Sequence, residues 1–81
     1  MAVRSIDQPW RKVYVMLEEA LPGIAPNVVR YVSWEHYEHV TGLEKDKSRA
    51  AYKRALQELE RVYGIGLVAQ NALGFVIGRM P

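Results

Sequence analysis

The chain has 81 residues, of which 49% are hydrophobic and 25% are charged, and its formal net charge is +2. This length predicts one domain, and the composition is that of a globular protein rather than a disordered one. The sequence has no cysteine, which excludes disulfides and thiolate metal sites. It also lacks both a signal-peptide core and an apolar run near the roughly 18 residues that span a bilayer. We therefore expect a cytoplasmic protein with one domain over residues 1–81, a flexible segment at residues 1–6 and no membrane partner.

The first predicted element is an amphipathic helix. Asp7 is a candidate N-cap, and Pro9 follows in the first turn, where its missing N–H costs nothing. The apolar face of this helix is formed by residues at helical spacing: Trp10, Val13, Tyr14, Leu17 and Leu21. The pair Pro22-Gly23 ends the helix. Val15 and Met16 lie off the apolar face, so this surplus of apolar surface predicts a homodimer contact.

A short strand and a short helix are predicted next. The β-branched run NVVRYVS, residues 27–33, indicates the strand. Ser33 is then the expected N-cap of a helix over WEHYEHVT, which Gly42 ends. Three residues of this helix are expected to face the core: Trp34, Tyr37 and Val40. His36 and His39 have the spacing of metal ligands on a helix, but no second set of ligands is nearby in sequence, and we expect no metal.

The third predicted helix is the clearest element. Its sequence, KDKSRAAYKRALQELERVYG, offers Asp46 or Ser48 as a cap and Gly64 as a stop. A continuous apolar stripe runs along it: Tyr52, Ala55, Leu56, Leu59, Val62 and Tyr63. Two β-prone runs follow, and the residues that join them, Asn71 to Gly74, suit a type I turn followed by a left-handed residue in a β-hairpin. Four aromatic residues are assigned to the core: Trp10, Tyr14, Trp34 and Tyr63.

Basic residues are concentrated at the start of the third helix. They are Lys45, Lys47, Arg49, Lys53 and Arg54, with Asp46 as the acid among them. The side of the helix opposite its apolar stripe carries Ala50, Lys53, Arg54, Gln57 and Arg61. Arg and Lys bind phosphate or guanine, Gln binds adenine, and a small residue such as Ala50 lets a helix enter a groove deeply. The same pattern also fits the solvated side of an ordinary amphipathic helix, and both interpretations remain open.

The run HVTGL…YKRALQELERVYGIGLVAQNALGFVIGR resembles the winged helix-turn-helix family of DNA-binding regulators, of the small phage, plasmid or prokaryotic type. In that family a TG turn precedes the recognition helix, and a RAL-x-x-LE stretch leads to a GLV strand and the wing. The resemblance covers residues 28–79. It implies an α+β fold with three helices and a C-terminal two-stranded β-hairpin wing. The stretch at residues 44–48 adds about one helical turn, either to the turn or to the recognition helix.

The resemblance implies a sequence-specific transcriptional regulator whose recognition helix, about residues 46–63, enters the major groove of double-stranded DNA. The residues that it implies as DNA contacts are Lys45, Lys47, Ser48, Arg49, Lys53, Arg54 and Gln57, with Arg30, Asn71 and Arg79 at the flanks. A homodimer would extend the DNA sequence that such a short helix reads.

Two features favour a different function. The second helix region carries Glu35, Glu38 and Glu44, which repel phosphate, and the hairpin tip has no Lys or Arg. The alternative is a winged-helix protein–protein interaction module that acts in a replication or transcription complex, with Leu73 as one contact; a purely structural subunit also remains open. The sequence has no nucleophile motif and no phosphate-binding loop, so we expect no enzyme activity, no cofactor and no small-molecule substrate.

Overall fold

A computed structural model of the chain describes residues 8–22 and 24–79. Its elements, in chain order, are α1 (Pro9–Glu19), β1 (Val29–Ser33), α2 (Trp34–Thr41), a 3₁₀ turn (Lys45–Lys47), α3 (Arg49–Tyr63), β2 (Ile65–Gln70) and β3 (Gly74–Arg79). Within the described residues the fold class is α+β, with three α-helices and an antiparallel sheet. The expected flexible residues 1–6, the Asp7 cap and Gly23 lie outside these ranges.

Both predicted ends of α2 and the predicted C-terminal end of α3 are confirmed. Ser33 is the N-cap of α2, because its Oγ accepts a hydrogen bond from the His36 N–H at 3.1 Å. Gly42 ends α2 and Gly64 ends α3, both in the left-handed region, with φ of 71° and 70°. A residue with a Cβ atom is disfavoured there by about 1–2 kcal/mol. The start of α1 is less strongly fixed, since the Gln8 side chain at its N-cap position accepts from Trp10 Nε1 at 2.7 Å and not from a helix backbone N–H.

The extra residues between α2 and α3 lengthen the connection and not the helix. They form the separate 3₁₀ turn, whose first N–H, that of Lys45, donates to Glu38 Oε2 at 2.8 Å. The helix expected over about residues 46–63 therefore begins at Arg49. This bond also gives Glu38, an acidic residue of α2, a structural role in ordering the turn.

The sheet has three strands rather than the expected two, in the order β1-β3-β2. The β2–β3 hairpin is confirmed, but β1 pairs antiparallel with the other edge of β3. In this register Tyr31 lies opposite Val76 and Val32 lies opposite Phe75. A two-stranded hairpin would leave the backbone groups on that edge of β3 unpaired, and the β-branched β1 strand supplies their partners. The predicted two-stranded wing is thus corrected to a three-stranded sheet.

The hairpin turn differs from the predicted left-handed turn at Gly74. Gly74 lies in β3, and it is not among the described glycines with positive φ. Instead, Asn71 Oδ1 closes the turn by accepting from the Leu73 N–H at 2.8 Å and from the Gly74 N–H at 3.0 Å. Glycine is needed at position 74 because a Cβ there would lie 2.4 Å from Val32 O and 2.7 Å from Tyr31 Oη. The requirement comes from β1, the neighbouring strand.

The core lies between the helices and one face of the sheet. Its buried apolar residues are Val13, Met16, Leu17, Ile24, Val32, Tyr37, Tyr52, Ala55, Leu59, Ile65, Phe75 and Ile77. At one end, the rings of Trp34, Tyr37, Tyr52 and Phe75 form an aromatic cluster with centroid separations between 4.9 and 6.3 Å. Most of these pairs meet edge to face, the favoured geometry for aromatic rings. The cluster joins α2, α3 and β3 directly below the basic end of α3.

Several predicted core positions are corrected. Met16 is buried rather than on the surface, so only Val15 of the expected homodimer contact is exposed. Val40, Val62 and Tyr63 are exposed rather than inward. In α2 the buried pair is Tyr37 with Thr41, at a spacing of four, and this spacing turns Val40 away from the core. Thr41 can be buried because its hydroxyl donates to Tyr37 O at 2.7 Å.

The four aromatic residues that were assigned to the core are only partly covered. Tyr14 and Trp34 are half-buried against the core, and Trp10 is half-buried beside Tyr14, with ring centroids 6.0 Å apart. Tyr63 remains at the surface and donates from its hydroxyl to Glu18 Oε2 at 2.8 Å, which raises the pKa of Tyr63. This contact joins the last turn of α3 to α1. Tyr63 therefore contributes to helix packing through its polar end and not through burial.

Candidate nucleic-acid interface

The exposed side of α3 carries basic and amide side chains at one-turn intervals. Arg49, Lys53 and Gln57 are each four residues apart, so they form a row along the helix, and all three are exposed. Ala50, which was expected at the centre of this surface, is exposed as well. Leu59 and Ala55 are fully buried on the opposite side. The predicted division of α3 into an apolar and a polar side is therefore present in the structure.

Three of the candidate DNA contacts, Lys45, Arg49 and Lys53, border one cleft of about 180 Å³ between α3 and the end of β2. We call it the basic cleft. Its other lining residues are Trp34, Tyr52, Leu56, Leu67 and Gln70. The 3₁₀ turn supplies Lys45, and β2 supplies Gln70 from the opposite side. The Tyr52 hydroxyl donates to Gln70 Oε1 at 3.0 Å, which fixes the hairpin against α3 and sets the width of the cleft.

The cations of the basic cleft carry no ion pair in the described parts of the chain. The ion pairs found there are Lys47 with Glu44 at 3.5 Å and Arg61 with Glu58 at 2.6 Å, both outside the cleft. Surface pairs of this kind contribute little, about 0–1 kcal/mol. No carboxylate lines the cleft. The Glu38 carboxylate accepts from the Lys45 backbone N–H at 2.8 Å but does not line the cleft. Three cations without a carboxylate in the same lining favour an anionic ligand.

Two aromatic rings hold basic side chains of this region in place. The Lys45 Nζ lies 5.0 Å from the centroid of the Trp34 ring, and the Arg54 Cζ lies 4.4 Å from that of Trp10. Such cation–π contacts are worth about 0.5–1 kcal/mol at exposed sites. Lys45 is ordered at the mouth of the basic cleft, whereas Arg54 is ordered on the other flank of α3, beside α1.

The structure places the other candidate contacts in separate environments. Arg30 Nη2 donates to Pro22 O at 2.8 Å, and Arg79 Nη1 donates to Tyr63 O at 3.3 Å. Neither residue lines the basic cleft. Asn71 uses its side-chain oxygen in the hairpin turn, and its backbone carbonyl accepts from Trp34 Nε1 at 2.9 Å. Arg30, Arg79 and Asn71 therefore use these polar groups to join parts of the fold.

Ser48 is a structural residue rather than a surface contact. It is buried, with 6% of its surface exposed, and its hydroxyl donates to Glu44 O at 2.7 Å. Because a hydroxyl has one proton, the Tyr37 hydroxyl must be the donor in the 2.7 Å bond between Tyr37 and Ser48. Neither Ser48 nor Asp46 caps α3 through its side chain as expected. Ser48 is therefore removed from the proposed DNA contacts.

An ordinary phenol is already neutral at pH 7, and burial extends the neutral range of the two tyrosines beneath the basic cleft to more alkaline pH. Loss of solvation, with a smaller effect from Tyr37, raises the pKa of Tyr52 to about 12. Burial also raises the pKa of Tyr37, although its bond to Ser48 opposes this effect. Both phenols therefore act as hydrogen-bond donors at neutral pH. The donor role of Tyr52 toward Gln70 follows from this protonation state.

Trp34, Leu56, Leu67 and Gln70 are not among the site residues predicted from the sequence. Trp34 and Leu56 are predicted core residues, and Gln70 directly precedes the predicted turn at Asn71 to Gly74. Position 70 pairs with the buried Phe75, which places the Gln70 side chain on the helix side of the sheet. A β-bulge after Leu67 sets this register. No local feature of the sequence indicates such a bulge, so this part of the cleft could not be predicted.

Within the described ranges, no group of three or more His, Asp, Glu or Cys residues is arranged to hold a metal ion. Glu35, His36 and His39 share only a shallow surface depression with Ser33. In residues 8–22 and 24–79, no helix is both long and apolar enough to cross a bilayer.

Comparisons of the chain with protein-family models, with curated proteins and with solved structures give no match. The resemblance to winged helix-turn-helix regulators therefore rests on sequence pattern and element order alone, and these comparisons assign the chain to no family.

Proposed function

We propose that this protein is a small sequence-specific, double-stranded DNA-binding transcriptional regulator of the winged helix-turn-helix type, acting in the cytoplasm. In this proposal α2 and α3 form the helix-turn-helix and β2–β3 form the wing. The observation that carries it is the convergence of Lys45, Arg49 and Lys53, none paired with a carboxylate in the described chain, between α3 and the hairpin. Unpaired cations beside an exposed helix are what phosphate recognition requires.

The exposed side of α3 supports a specific mode of docking. Ala50 and Gln57 lie at the centre of the exposed side of α3. The small Ala50 side chain lets the helix approach base edges, and Gln57 can make a bidentate contact with adenine. Arg49 and Lys53 border the wing side, where they reach guanine or phosphate. Arg54, held over Trp10, lies on the other flank. This arrangement places positive charge on both sides of the inserted helix, so that both DNA strands are contacted.

The proposal is tested by removing the two exposed cations of the basic cleft. The variant Arg49→Gln/Lys53→Gln keeps similar side-chain length, so α3 stays folded. The matched control is Arg11→Gln/Lys12→Gln, which removes one Arg and one Lys from α1. We expect the first variant to lose roughly 30-fold or more in affinity for a duplex, measured by fluorescence anisotropy, since each lost contact costs about 1–3 kcal/mol.

The salt dependence of the same titrations separates a specific interface from bulk charge. Affinity decreases with salt, so a plot of log affinity against log salt has a negative slope. If both cations contact phosphate, this slope becomes shallower by roughly 1.8 in the Arg49→Gln/Lys53→Gln variant. The control should keep the slope of the original protein. Equal losses of affinity in the two variants would show that only net charge matters and would contradict the proposal.

A second candidate function, a winged-helix protein–protein interaction module in a replication or transcription complex, is favoured by the outer sheet face. We use this name for Val29, Tyr31, Val68, Ala69 and Val76, on the face of the sheet away from the helices. Val29 and Tyr31 are 55% and 53% exposed, and no charged residue interrupts the face. Leu73, at the hairpin tip, is also apolar and is 75% exposed.

Elution from heparin discriminates the two candidates. A DNA-binding protein of this type should be retained to moderate salt, and the Arg49→Gln/Lys53→Gln variant should elute earlier. A Tyr31→Ser substitution on the outer sheet face should leave that retention unchanged. Flow-through of the original protein at low salt would favour the interaction module. The outer sheet face and the exposed Val15 of α1 are two separate apolar surfaces available for a homodimer.

A further inference from the structure

The polar rim of the basic cleft presents donors and no free anionic group. Lys45, Arg49 and Lys53 carry N–H donors and no acceptor. The Gln70 carbonyl oxygen already accepts from the Tyr52 hydroxyl at 3.0 Å, so its amide N–H₂ is the group left for a ligand. A ligand that fits this rim must therefore bring the acceptors itself.

The charge of the rim selects among acceptor groups. The three cationic side chains border one cleft of about 180 Å³, and no carboxylate lines it. Such close like charges repel one another, and the apolar floor below them reduces screening. A carboxylate offers a single negative charge, whereas a phosphate monoester carries about −1.5 to −2 at neutral pH and three strong acceptor oxygens. The phosphate monoester is the better match in both charge and hydrogen bonding.

The side chains at the floor of the cleft determine the size and polarity of the part of the ligand that is not phosphate. Trp34, Tyr52, Leu56 and Leu67 line it, and they are aromatic or aliphatic. The Trp34 indole N–H is already donated to Asn71 O, so the floor offers no polar group from that ring. Pockets for drug-sized molecules measure about 300–1,000 Å³, and this cleft accommodates a body of about one ring. A planar apolar ring satisfies both its size and its chemistry.

We propose that the basic cleft is a binding site for a small organic phosphate monoester with a planar apolar body, and that its occupation competes with DNA. The competition rests on the proposed DNA-binding function, because Arg49 and Lys53 serve both ligands. The phosphate binds between Arg49, Lys53 and Lys45, and the ring contacts Leu56 and the aromatic floor. A bound ligand thereby withdraws positive charge from the surface that DNA needs.

Phenyl phosphate is the probe for the site, followed by two-dimensional ¹H–¹⁵N NMR of the full chain. We expect saturable shifts of the Trp34 indole N–H and of the Gln70 side-chain amide. Inorganic phosphate, which lacks the ring, and benzyl alcohol, which lacks the charge, should each bind at least roughly tenfold more weakly. The Arg49→Gln/Lys53→Gln variant should lose the shifts, and the Arg11→Gln/Lys12→Gln control should keep them.

Competition is measured by duplex anisotropy at increasing phenyl phosphate. The apparent dissociation constant for DNA should double when phenyl phosphate equals its own dissociation constant, as two ligands of one site require. A 5′-phosphorylated single-stranded oligonucleotide, compared with its unphosphorylated form, shows whether a strand end or a free small molecule is the better source of the monoester.

The outcomes separate the two proposals. Phenyl phosphate that binds a protein without duplex affinity would support the site and overturn DNA binding. Duplex binding that depends on Arg49 and Lys53, without saturable shifts by phenyl phosphate at Trp34 and Gln70, would overturn the ligand site alone. Equal binding of benzyl alcohol would also overturn it, because the cations would then have no role.

Discussion

At the scale of single residues, the hydroxyl groups of Ser48 and Tyr37 connect the parts of the fold that carry the basic cleft. Tyr37 belongs to α2, Glu44 precedes the 3₁₀ turn, and Ser48 precedes α3. The chain of bonds from Tyr37 to Ser48 to Glu44 O satisfies two buried hydroxyl groups, at 2.7 Å each. This chain fixes the orientation of the turn that presents Lys45 and Arg49.

Substitution of Ser48 by Ala leaves the buried Tyr37 hydroxyl without an acceptor. We expect the free energy of unfolding to fall by about 1–3 kcal/mol, measured by urea denaturation. Affinity for duplex DNA should change less than it does in the Arg49→Gln/Lys53→Gln variant, since the Ser48 side chain is buried. Unchanged stability combined with lost DNA affinity would instead make Ser48 a direct contact.

The raised pKa of Tyr52 predicts a loss of stability at alkaline pH. Because the pKa is about 12 in the folded protein and near 10 when unfolded, the folded state keeps its proton more tightly. The stabilisation is fully present below pH 10 and is lost as the pH rises toward 12, by roughly 2–3 kcal/mol. Burial of Tyr37 acts in the same direction.

Urea denaturation at several pH values between 9 and 12 measures this effect. The Tyr52→Phe variant should be slightly less stable at neutral pH, because it loses the bond to Gln70. Its stability should then decline less between pH 10 and 12 than that of the original protein. Parallel declines in the two proteins would show that Tyr52 is not the group responsible.

At the scale of elements, short-range sequence patterns predict those features that depend only on neighbouring residues. The Ser33 cap, the Gly42 and Gly64 stops and the division of α3 into two sides follow from side-chain chemistry within one or two turns of helix. The separate 3₁₀ turn was not distinguishable from a longer α3, because Asp46 and Ser48 are both acceptable caps. Contacts that the sequence does not reveal decide between them, among them the bond from Lys45 N–H to Glu38 and the bond from Tyr37 to Ser48.

Strand pairing required information from distant parts of the chain. The pairing of β1 with β3 brings together residues more than forty positions apart, such as Val32 and Phe75. A β-prone run predicts a strand, but it does not identify the partner of that strand. The same limit explains why Gly74 was assigned to a left-handed turn, since its true neighbours, Val32 and Tyr31, are not adjacent in sequence.

Substitution of Gly74 by Ala tests the β1–β3 pairing. The new Cβ would lie 2.4 Å from Val32 O, so the backbone of β1 or β3 must move. We expect a loss of at least about 2 kcal/mol in the free energy of unfolding. Ala72→Gly, in the same hairpin but outside β3, is the control for a local change. A Gly74→Ala variant as stable as the original would mean that β1 does not pack against β3 in this register.

At the scale of the whole molecule, the candidate site is assembled from three separate parts of the chain. Trp34 begins α2, the cations occupy the 3₁₀ turn and α3, and Gln70 ends β2. The cations are predictable from the sequence because they are close together along the chain. The floor and the hairpin side of the cleft are not predictable, because the β2 bulge and the aromatic cluster bring those residues to the cations.

The same assembly places two surfaces on different sides of the molecule. The basic cleft lies on the helix side of the sheet, and the outer sheet face lies on the other side. A protein that binds DNA through α3 therefore leaves its apolar sheet face free for a second copy or another protein. DNA binding and protein interaction are therefore compatible in this fold. Substitutions in the basic cleft test the first of them without altering the outer sheet face.

The most direct test of the central claim is selection from random duplexes with the original protein, followed by affinity measurement at a stated salt concentration. If α3 reads base edges, we expect an enriched sequence that binds at least roughly 10³-fold more tightly than a scrambled duplex. We also expect that Arg49→Gln/Lys53→Gln abolishes this preference, while Arg11→Gln/Lys12→Gln retains it. A palindromic site would add evidence for a homodimer. Recovery of no enriched sequence, with equal affinity for all duplexes, would contradict sequence-specific recognition by α3.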